Sequence, residues 1–377
     1  MRILHTSDWH LGRSFHRSGL LDAQGSWFDH LVEVVRTEKV DLVVVAGDVY
    51  DRALPQVDAV LLLEDALARL ADARVRVVLT SGNHDSGPRL GFGSRLMDAA
   101  GVHVRTQAEA AHLPVLVDDE HGTVAVYGIP FLDPGLLQEP WGLRGRSHEA
   151  ALTEATARIR TDLAGRPGAR SVVLAHAFVA GCRPSESERD ISVGGVSMVS
   201  EEVFDGFSYT ALGHLHSPQV LEETIRYSGS PLAYSFSEAD QAKGSWLLDL
   251  GPGGVDRIEF VPAPVPRRLG RVRGRLADLL TDPTLAEHES SWLQVTLTDD
   301  LRPERAMDRL LGRFPHTLAL LFEPTRPPAA STPMARATGR SDREIALDFV
   351  SEVRGVPADS EESALLQAAV ESCCGGD

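Results

Sequence analysis

The sequence has few cysteines and no long apolar run. Its three cysteines, Cys182, Cys373 and Cys374, are odd in number and two are adjacent, which excludes a disulfide framework, and no C-x-x-C spacing exists for a thiolate zinc site. No apolar run approaches the ~20 residues of a membrane-spanning helix. The opening MRILHTSDWH looks like a strand rather than a basic, apolar leader. We therefore expect a soluble, reduced, cytoplasmic protein.

Positive charge is also scarce. Lysine and arginine together number 37 against 54 acidic residues, for a net charge of −17. This balance argues against a non-specific nucleic-acid coat, although bound metal ions would add positive charge to an acidic site. The densest basic run is formed by Arg267, Arg268, Arg271, Arg273 and Arg275. It is either a strip that contacts a DNA backbone or the exposed edge of a strand.

The pattern of residues 1–262 is that of an α/β domain. Apolar strands alternate with amphipathic helical segments, which predicts a sheet system covered by helices. Strands are predicted at Arg2–Thr6, Leu42–Ala46, Val75–Thr80, Val124–Ile129, Ser171–His176 and Tyr209–Gly213. Helices are predicted at Asp22–Thr37, Val57–Leu70, Arg89–Ala99 and Ser147–Leu163.

Two breaks divide the rest of the chain. Pro262, Pro264 and Pro266 favour an extended linker. Residues 263–324 then predict a small β-α-β domain, and the segment PTRPPAASTP predicts a flexible linker. In the tail, residues 325–377, helices are predicted at Asp342–Arg354 and Ser360–Ser372.

Polar side chains that bind metals follow five of the predicted strands, in the words SDWH, AGDVYD, SGNHD, LAHAF and LGHLH. Because open α/β sheets build their sites at strand carboxyl ends, we expect these side chains to meet at a common edge. The candidates are Asp8, His10, Asp48, Asp51, Asn83, His84, Asp85, His176, His214 and His216.

The ligand types predict two metal ions. Oxygen and imidazole ligands without thiolate suit manganese, iron or zinc. One tetrahedral ion takes four ligands, whereas two ions bridged by a carboxylate would use the whole set and catalyse in-line displacement at phosphorus. Taken one at a time, these residues also have structural interpretations. Asp48 could belong to a turn, Asn83 could cap a helix, and His176 could be a hydrogen-bonded residue of the core. The seven ligands are Asp8, His10, Asp48, Asn83, His176, His214 and His216.

The order of these motifs resembles the calcineurin-like metallophosphoesterases. The words HTSDWHLGR, SGNHDS, YTALGHLHSPQ and YSGSPLAYSFSE narrow the resemblance to the SbcD family, the nuclease subunits of bacterial nuclease–ATPase complexes. It covers the first ~240 residues closely and the β-α-β unit loosely. The resemblance implies a four-layer α/β/β/α sandwich with a small C-terminal β-α-β capping, DNA-binding domain.

The resemblance also implies roles for the individual residues. Asp8, His10, Asp48 and His216 would form one metal site, and Asp48, Asn83, His176 and His214 the other, with Asp48 as the bridge and Mn²⁺ as the expected metal. His84 would sit beside the scissile phosphate and protonate or stabilise the leaving oxygen. Asp51 would orient His84, and Arg52 would touch a phosphate oxygen or simply lie on the surface.

By resemblance, the activity would be that of a DNA nuclease. It would degrade double-stranded ends 3′→5′, cut single strands endonucleolytically and open hairpins, in DNA repair, recombination and replication. ATP would act through the partner ATPase SbcC, because this sequence has no G-x-x-x-x-G-K-[ST] loop. The family also implies a homodimer within a two-plus-two complex. We expect the dimer contact near Val57–Leu70 and Arg89–Ala99, which carry Leu61, Leu90, Phe92, Leu96 and Met97. The alternative is that these are ordinary helices packed within the domain core.

The C-terminal helix, about residues 341–371, is the predicted SbcC-binding segment. Ile345, Phe349, Val350 and Val353 form an apolar stripe that an isolated helix cannot bury on itself, so it fits a groove of a partner. The alternative is that the stripe folds back on the β-α-β unit.

Two other functions are weighed against the nuclease. A metallophosphatase or cyclic-nucleotide phosphodiesterase would use the same core motifs but needs neither the β-α-β unit nor the amphipathic tail. A metal-stabilised scaffold that only recruits SbcC would be favoured if a ligand were missing, and none is.

Overall fold

The chain divides into two units. The computed structural model describes residues 1–16, 18–189, 191, 198–325 and 340–374. The first unit is Met1–Pro266 and the second is Arg267–Asp377. Most of the predicted Pro/Ala/Ser-rich linker lies in residues 326–339, outside the described part of the chain. The predicted domain boundaries at residues 262 and 324 stay predictions.

The first unit contains helices and strands in alternation. Its helices are α1 Leu21–Thr37, α2 Val57–Asp72, α3 Gly87–Leu90, α4 Ser94–Met97, α5 Pro134–Trp141 and α6 His148–Ala164. Its strands are β1 Arg2–Thr6, β2 Ser14–Phe15, β3 Ser18–Gly19, β4 Leu42–Val45, β5 Arg76–Thr80, β6 Val102–Arg105, β7 Val115–Asp119, β8 Gly122–Gly128, β9 Arg170–His176, β10 Phe178–Val179, β11 Met198–Val199, β12 Tyr209–Gly213, β13 Gln219–Glu222, β14 Ile225–Tyr227, β15 Gly244–Gly251 and β16 Gly254–Pro262.

Two six-stranded sheets form the centre of this unit. The first has the order β16-β15-β1-β4-β5-β6, and the second β13-β14-β12-β9-β8-β7. In the first sheet β1, β4 and β5 are parallel neighbours, and in the second β8, β9 and β12 are parallel neighbours. The carboxyl ends of these parallel strands therefore lie together at one edge of each sheet.

Three hydrophobic cores separate four layers. Alternation along β1 shows the division: Leu4 faces the core shared with α1 and α2, whereas Ile3 faces the core between the two sheets. The outer face of the second sheet packs on α5 and α6, through residues such as Ile159. The layers are thus helices, sheet, sheet and helices, which is the α/β/β/α sandwich that the sequence predicts.

The predicted helix Arg89–Ala99 is wrong as one continuous element. It is broken into α3 and α4, because Gly93 adopts a left-handed φ of 76° and ends the helical path between them. The break sends the apolar residues in different directions. Leu90 is buried in the core and Met97 packs against it, while Phe92 and Leu96 are exposed.

The second unit is built on a three-stranded parallel sheet in the order β17-β18-β19. Its core includes Val272, Leu293, Leu310 and Phe314. The predicted strand–helix–strand order is confirmed here. Its elements are β17 Leu269–Gly274, α7 Leu276–Thr281, β18 Trp292–Leu297, α8 Ala306–Arg313, β19 Thr317–Phe322, α9 Asp342–Arg354 and α10 Ser360–Cys374.

The lengths and apolarity of the helices bear on membrane insertion. Within the part of the chain that the structure describes, no helix combines the length and apolar character that crossing a bilayer requires.

A buried ion pair on the second sheet carries a prediction about stability. Arg170 (side chain 6% exposed) donates to both oxygens of Asp119 (13% exposed), at 2.5 and 3.1 Å. Burial raises the pKa of Asp119, but hydrogen bonds from Arg170 outweigh burial and hold the pKa well below its usual range. Asp119→Asn should lower the free energy of unfolding by about 3 kcal/mol, because it leaves Arg170 buried without its counter-charge.

Urea denaturation at pH 7 checks this prediction, with the exposed neighbour Asp118→Asn as the matched control. Because the depressed pKa stabilises the fold only while Asp119 is ionised, the difference from wild type should shrink as the pH falls below about 4. Equal unfolding midpoints for wild type and Asp119→Asn at pH 7 would contradict the assignment.

Candidate metal centre

The candidate residues meet where parallel strands end. Asp8 and His10 follow β1, Asp48 follows β4, and Asn83 and His84 follow β5 in the first sheet. In the second sheet His176 ends β9, and His214 and His216 follow β12. Except for the half-buried Asn83, all of these side chains are buried. The fold therefore brings both groups of predicted ligands to one place.

The backbone is strained at four of these residues. Asp8, His10, Asp48 and His214 have positive φ values of 54°, 45°, 49° and 106°. Residues other than glycine rarely adopt positive φ values, and such backbone strain is concentrated at functional sites. Hydrogen bonds between the loops hold it, since the His10 amide donates to the Asp48 carbonyl at 2.9 Å.

Asp48 lies at the centre of the cluster. Its Oδ2 is 3.4 Å from His176 Nε2, 3.6 Å from His10 Nε2 and 3.9 Å from His84 Nε2. Its Oδ1 accepts a hydrogen bond from the His84 amide at 2.8 Å. One carboxylate oxygen thus faces three imidazoles from three different strand ends.

Glycines next to the cluster leave room for these side chains. A Cβ atom at Gly47 would lie 2.5 Å from His176 Nδ1, and one at Gly82 would collide with the carboxylate of Asp48. The glycines of the words AGD and SGN are therefore required by close approach as well as by the turn.

A first group of ligand atoms is formed by Asp8, His10 and His216. The Asp8 carboxylate accepts from the His214 amide at 3.1 Å and from the Ser7 hydroxyl at 2.5 Å. The Nε2 atoms of His10 and His216 face each other at 3.0 Å. Both imidazoles thus direct a ring nitrogen to the same point beside Asp8.

A second group is formed by Asn83, His176 and His214. Asn83 Oδ1 lies 2.9 Å from His176 Nε2 and 3.3 Å from His214 Nδ1. The Nδ1–H of His176 donates to the Ala46 carbonyl at 2.9 Å, which directs Nε2 into the cluster. Asn83 is the only asparagine in the sequence. It supplies the one amide oxygen among the candidate ligands, whose other oxygen donors are carboxylates.

Burial and mutual charge shift the pKa values of the cluster. Burial raises the pKa of Asp8 to about 6 and lowers that of His214 to about 3. Burial alone would lower the pKa of His176, but Asp48 outweighs it and raises the pKa to about 9. The imidazoles, His176 foremost, hold the pKa of Asp48 well below its usual range despite burial. Asp48 is thus held in its ionised form, which favours a positive charge beside it.

The residues fit divalent cations. Ligand atoms within 4.8 Å of one another occur in three buried groups, Asp8–His10–His216, His10–Asp48–His84 and Asp8–Asp48–His176. Among the residues that the structure describes, the buried atoms His10 Nδ1 and Asn83 Nδ2 have no hydrogen-bond partner, as expected if a neighbouring ligand atom fixes each orientation. A mixed set of carboxylate, amide and imidazole ligands suits metals such as manganese, iron or zinc.

His84 is held by Asp51, but through the main chain. Its Nδ1–H donates to the Asp51 carbonyl oxygen at 2.8 Å, whereas the Asp51 carboxylate lies 3.8 Å from His10 Nδ1 and 3.5 Å from Arg13 Nη1. Burial lowers the pKa of His84. The Arg52 side chain is 66% exposed and touches the Asp51 carboxylate at 3.4 Å rather than the ligand cluster.

Asp85 has a structural function that sequence reasoning did not assign. Its carboxylate accepts hydrogen bonds from the amides of Val49, Tyr50 and Gly82, so it ties the loop after β4 to the loop after β5. Burial is the main cause that raises its pKa, to about 7.

A buried polar network behind His216 was also missed. Ser187, Glu188, Glu238 and Lys243 surround this histidine. One signal was available, because Lys243 is one of only two lysines in a chain that otherwise uses arginine.

Comparison with known proteins identifies the family of the chain. Residues 1–218 match the family model of the calcineurin-like phosphoesterases. Residues 265–353 match the family model SbcD_C, described as the type 5 capsule protein repressor C-terminal domain.

Two solved structures are similar to the chain. The protein TT1561 of Thermus thermophilus is 14% identical, with 69% of this chain and 98% of that chain covered and a TM-score of 0.40. A dimetal phosphatase from Danio rerio is 14% identical, with 70% and 99% covered and a TM-score of 0.42. With the first family model spanning more than half of the sequence, the chain belongs to the calcineurin-like phosphoesterase family of metal-dependent phosphoester hydrolases, with an SbcD_C domain after the phosphoesterase domain.

Proposed function

We propose that the protein is a metal-dependent DNA nuclease of the SbcD type that acts in the cytoplasm with the ATPase SbcC. The observation that carries the proposal is the succession of two domains, a phosphoesterase unit with clustered candidate ligands and an SbcD_C domain. A phosphatase for small substrates needs only the first. The proposed reactions are 3′→5′ degradation of duplex ends, cleavage of single strands and opening of hairpins.

The proposed ligands fall into two sets that share Asp48. Asp8, His10, Asp48 and His216 would hold one ion, and Asp48, Asn83, His176 and His214 the other. When bound, a pair of divalent cations, which we propose to be Mn²⁺, activates water and neutralises the phosphate oxygens of a diester.

His84 supplies the proton chemistry in this proposal. Because the Asp51 carbonyl oxygen can only accept, Nδ1 of His84 carries the hydrogen, and Nε2 is the atom that takes or gives a proton. Nε2 lies 3.9 Å from Asp48 Oδ2, beside the ligands yet outside either proposed set. From there it would protonate or stabilise the leaving oxygen of the diester. The carbonyl of Asp51 is thus the part of that residue that orients His84.

Substrate choice tests the function. Purified protein with Mn²⁺ should cleave blunt duplex, hairpin and single-stranded DNA and should hydrolyse bis(p-nitrophenyl) phosphate faster than p-nitrophenyl phosphate. His84→Ala serves as the inactive control for contaminating nucleases. Rapid hydrolysis of the monoester without cleavage of any DNA would instead support a metallophosphatase, and hydrolysis of cyclic nucleotides alone a cyclic-nucleotide phosphodiesterase.

We propose α9 and α10 as the SbcC-docking segment. Helix α9 begins with a capping box in which Ser341 and Glu344 bond reciprocally, so it has a defined start. Its apolar stripe is largely exposed, with Phe349 63% exposed and Val353 exposed as well. A stripe left uncovered within the described residues fits the groove of a partner better than folding back onto the small sheet.

Deleting residues 340–377 should abolish binding to purified SbcC and any stimulation by ATP. Cleavage of short single-stranded DNA with Mn²⁺ should persist, because the proposed ligands all lie before residue 217. Phe349→Asp should reproduce the loss of binding in the full chain, while Asp348→Ala on the polar face should not. Wild-type binding by the deletion variant, measured by pull-down with purified SbcC, would place the docking site elsewhere.

We also propose a homodimer contact around α2 and α4. Leu61, Phe92 and Leu96 are exposed, with Phe92 86% and Leu96 82% exposed. Leu90 and Met97 belong to the core and are not available for it. Single apolar residues are common on surfaces, but Phe92 and Leu96 are both large, strongly exposed and only four positions apart, which supports an interaction surface.

Sedimentation velocity at micromolar concentration should detect a dimer that Phe92→Asp with Leu96→Asp disrupts. Leu116→Asp, which changes an exposed leucine on β7 of the second sheet, is the matched control and should leave the dimer intact. A monomer at all concentrations, with and without DNA, would contradict the proposed contact.

A further inference from the structure

The network behind His216 contains an ion pair of two buried side chains. Lys243 Nζ donates to Glu238 Oε2 at 2.5 Å and also to Ser230 Oγ at 3.1 Å. Both charged side chains are buried, and a buried pair is rarely worth its desolvation cost as a stabilising device. Its position next to the metal centre points to another purpose.

The network occupies every polar atom of His216 except one. The His216 amide donates to Glu188 Oε1 at 2.8 Å, and its carbonyl accepts from Lys243 Nζ at 2.7 Å and from the Ser230 amide at 3.1 Å. Its Nδ1 lies 2.6 Å from the hydroxyl of Ser187. Only Nε2 points away from the network, towards His10 Nε2.

The chain of hydrogen bonds fixes which ring nitrogen carries the hydrogen. A carboxylate can only accept, so the Ser187 hydroxyl, which is bonded to Glu238 Oε1, must donate to Glu238. Having given its one hydrogen away, Ser187 Oγ accepts from Nδ1–H of His216. The Nε2 atom is then left with its lone pair, which is the form in which imidazole binds a metal.

Two other histidines of the centre also carry their hydrogen on Nδ1, but each donates it to a main-chain carbonyl oxygen. The Nδ1–H of His176 donates to the Ala46 carbonyl, and that of His84 to the Asp51 carbonyl. His216 instead reaches a side-chain relay. Metal-binding histidines commonly donate their second ring N–H to such a partner, which sets tautomer and ring orientation.

We propose that Ser187, Glu238 and Lys243 are positioning residues that hold His216 as the Nδ1–H tautomer, with its Nε2 lone pair presented to the metal. This inference rests on the proposed function in one respect, namely that His216 is a metal ligand. Lys243 Nζ donates both to Glu238 Oε2 and to the His216 carbonyl oxygen, so one compact ammonium group contacts both ends of the relay. A guanidinium, which is larger and planar, does not fill this position equivalently.

The first test measures the tautomer directly in the metal-free protein. With ¹⁵N-labelled histidine, two-bond ¹H–¹⁵N spectra distinguish Nδ1–H from Nε2–H, and His216→Ala identifies the signal. His216 should be the Nδ1–H tautomer in wild type and a mixture in Ser187→Ala. Ser237→Ala is the matched control, because the Ser237 hydroxyl lies next to Glu238 in the sequence but bonds the Glu186 amide and Ser235 rather than the relay or His216.

The second test measures Mn²⁺ affinity by calorimetry. Ser187→Ala and Glu238→Gln should weaken binding at the affected site about 10–100-fold, with Ser237→Ala within about threefold of wild type. Ser187→Ala removes only one hydroxyl and keeps the test valid if Glu238→Gln does not fold.

The outcomes separate this inference from the proposed function. If Ser187→Ala keeps the wild-type tautomer and Mn²⁺ affinity while His216→Ala loses affinity, the positioning role is overturned and the ligand role stands. If His216→Ala itself binds Mn²⁺ as wild type does, the ligand assignment of the proposed function fails. The tautomer measurement then still decides whether the relay orients His216.

Discussion

Replacing His84 with alanine should slow DNA cleavage by about 10²–10⁴-fold, the usual cost of losing general acid–base assistance. The two proposed ligand sets are complete without this residue, so metal content should not change. His84 Nε2 is nevertheless close to them, at 3.9 Å from Asp48 Oδ2. In the proposed assignment His84 is therefore a proton-carrying group at the edge of the centre, outside both ligand sets.

The measurement pairs nuclease rates with metal analysis of the same samples. His103→Ala is a matched control, because His103 pairs with Asp98 outside the centre. Undiminished cleavage by His84→Ala would remove the residue from the mechanism. Loss of both metals would instead show that His84 is a ligand. This outcome has to be tested because His84 lies close enough to His10 and Asp48 to share a metal ion with them.

The central strands could be predicted from the sequence because they are buried on both faces. β9 and β12 are fully buried with apolar centres, and β1 is buried at four of its five residues. Their observed ends differ from the predicted ones by at most one residue. Helices α1 and α2 are similarly clear, since each packs one apolar face on the first sheet. Local pattern and tertiary environment agree at these elements.

Edge strands were missed for the opposite reason. β6, β7 and β13 span only four or five positions. Buried residues alternate with half-buried ones in β6, buried with exposed ones along most of β7, and half-buried with exposed ones in β13. They also contain charged or polar side chains such as His103 and Asp118. So short an alternation is not distinguishable from a loop in one sequence. The break between α3 and α4 was missed because apolar spacing continues across Gly93 while the backbone does not.

The candidate site likewise has a part that could be predicted from the sequence and a part that could not. Its proposed ligands follow strands, so the sheet topology alone predicts that they converge, and the structure places them together; their role as ligands stays a prediction. The relay of Ser187, Glu238 and Lys243 depends on hydrogen bonds that span up to 51 positions of the chain and leave no periodic pattern. The main-chain contact between Asp51 and His84 is likewise invisible in residue types, because any residue offers a carbonyl oxygen.

The largest effect on metal content is expected for Asp48→Asn. Asp48 Oδ2 lies within 3.9 Å of the Nε2 atoms of His10, His84 and His176, which come from both sheets. The substitution keeps the shape and an oxygen that can accept from the His84 amide, but it removes the one charge that faces three imidazoles. Both ions should therefore be lost, and with them nearly all cleavage, whereas His10→Ala should weaken mainly one site.

Metal analysis after dialysis against Mn²⁺ checks the difference, with Asp51→Asn as the matched control. Asp51→Asn makes the same chemical change three residues away, and it should retain both ions because the main-chain oxygen of Asp51, not its carboxylate, holds His84. Equal metal loss in Asp48→Asn and His10→Ala would show that Asp48 does not bridge. Loss in Asp51→Asn would mean that the carboxylate 3.8 Å from His10 Nδ1 orients that imidazole, because removing its charge would then disturb the first site from behind.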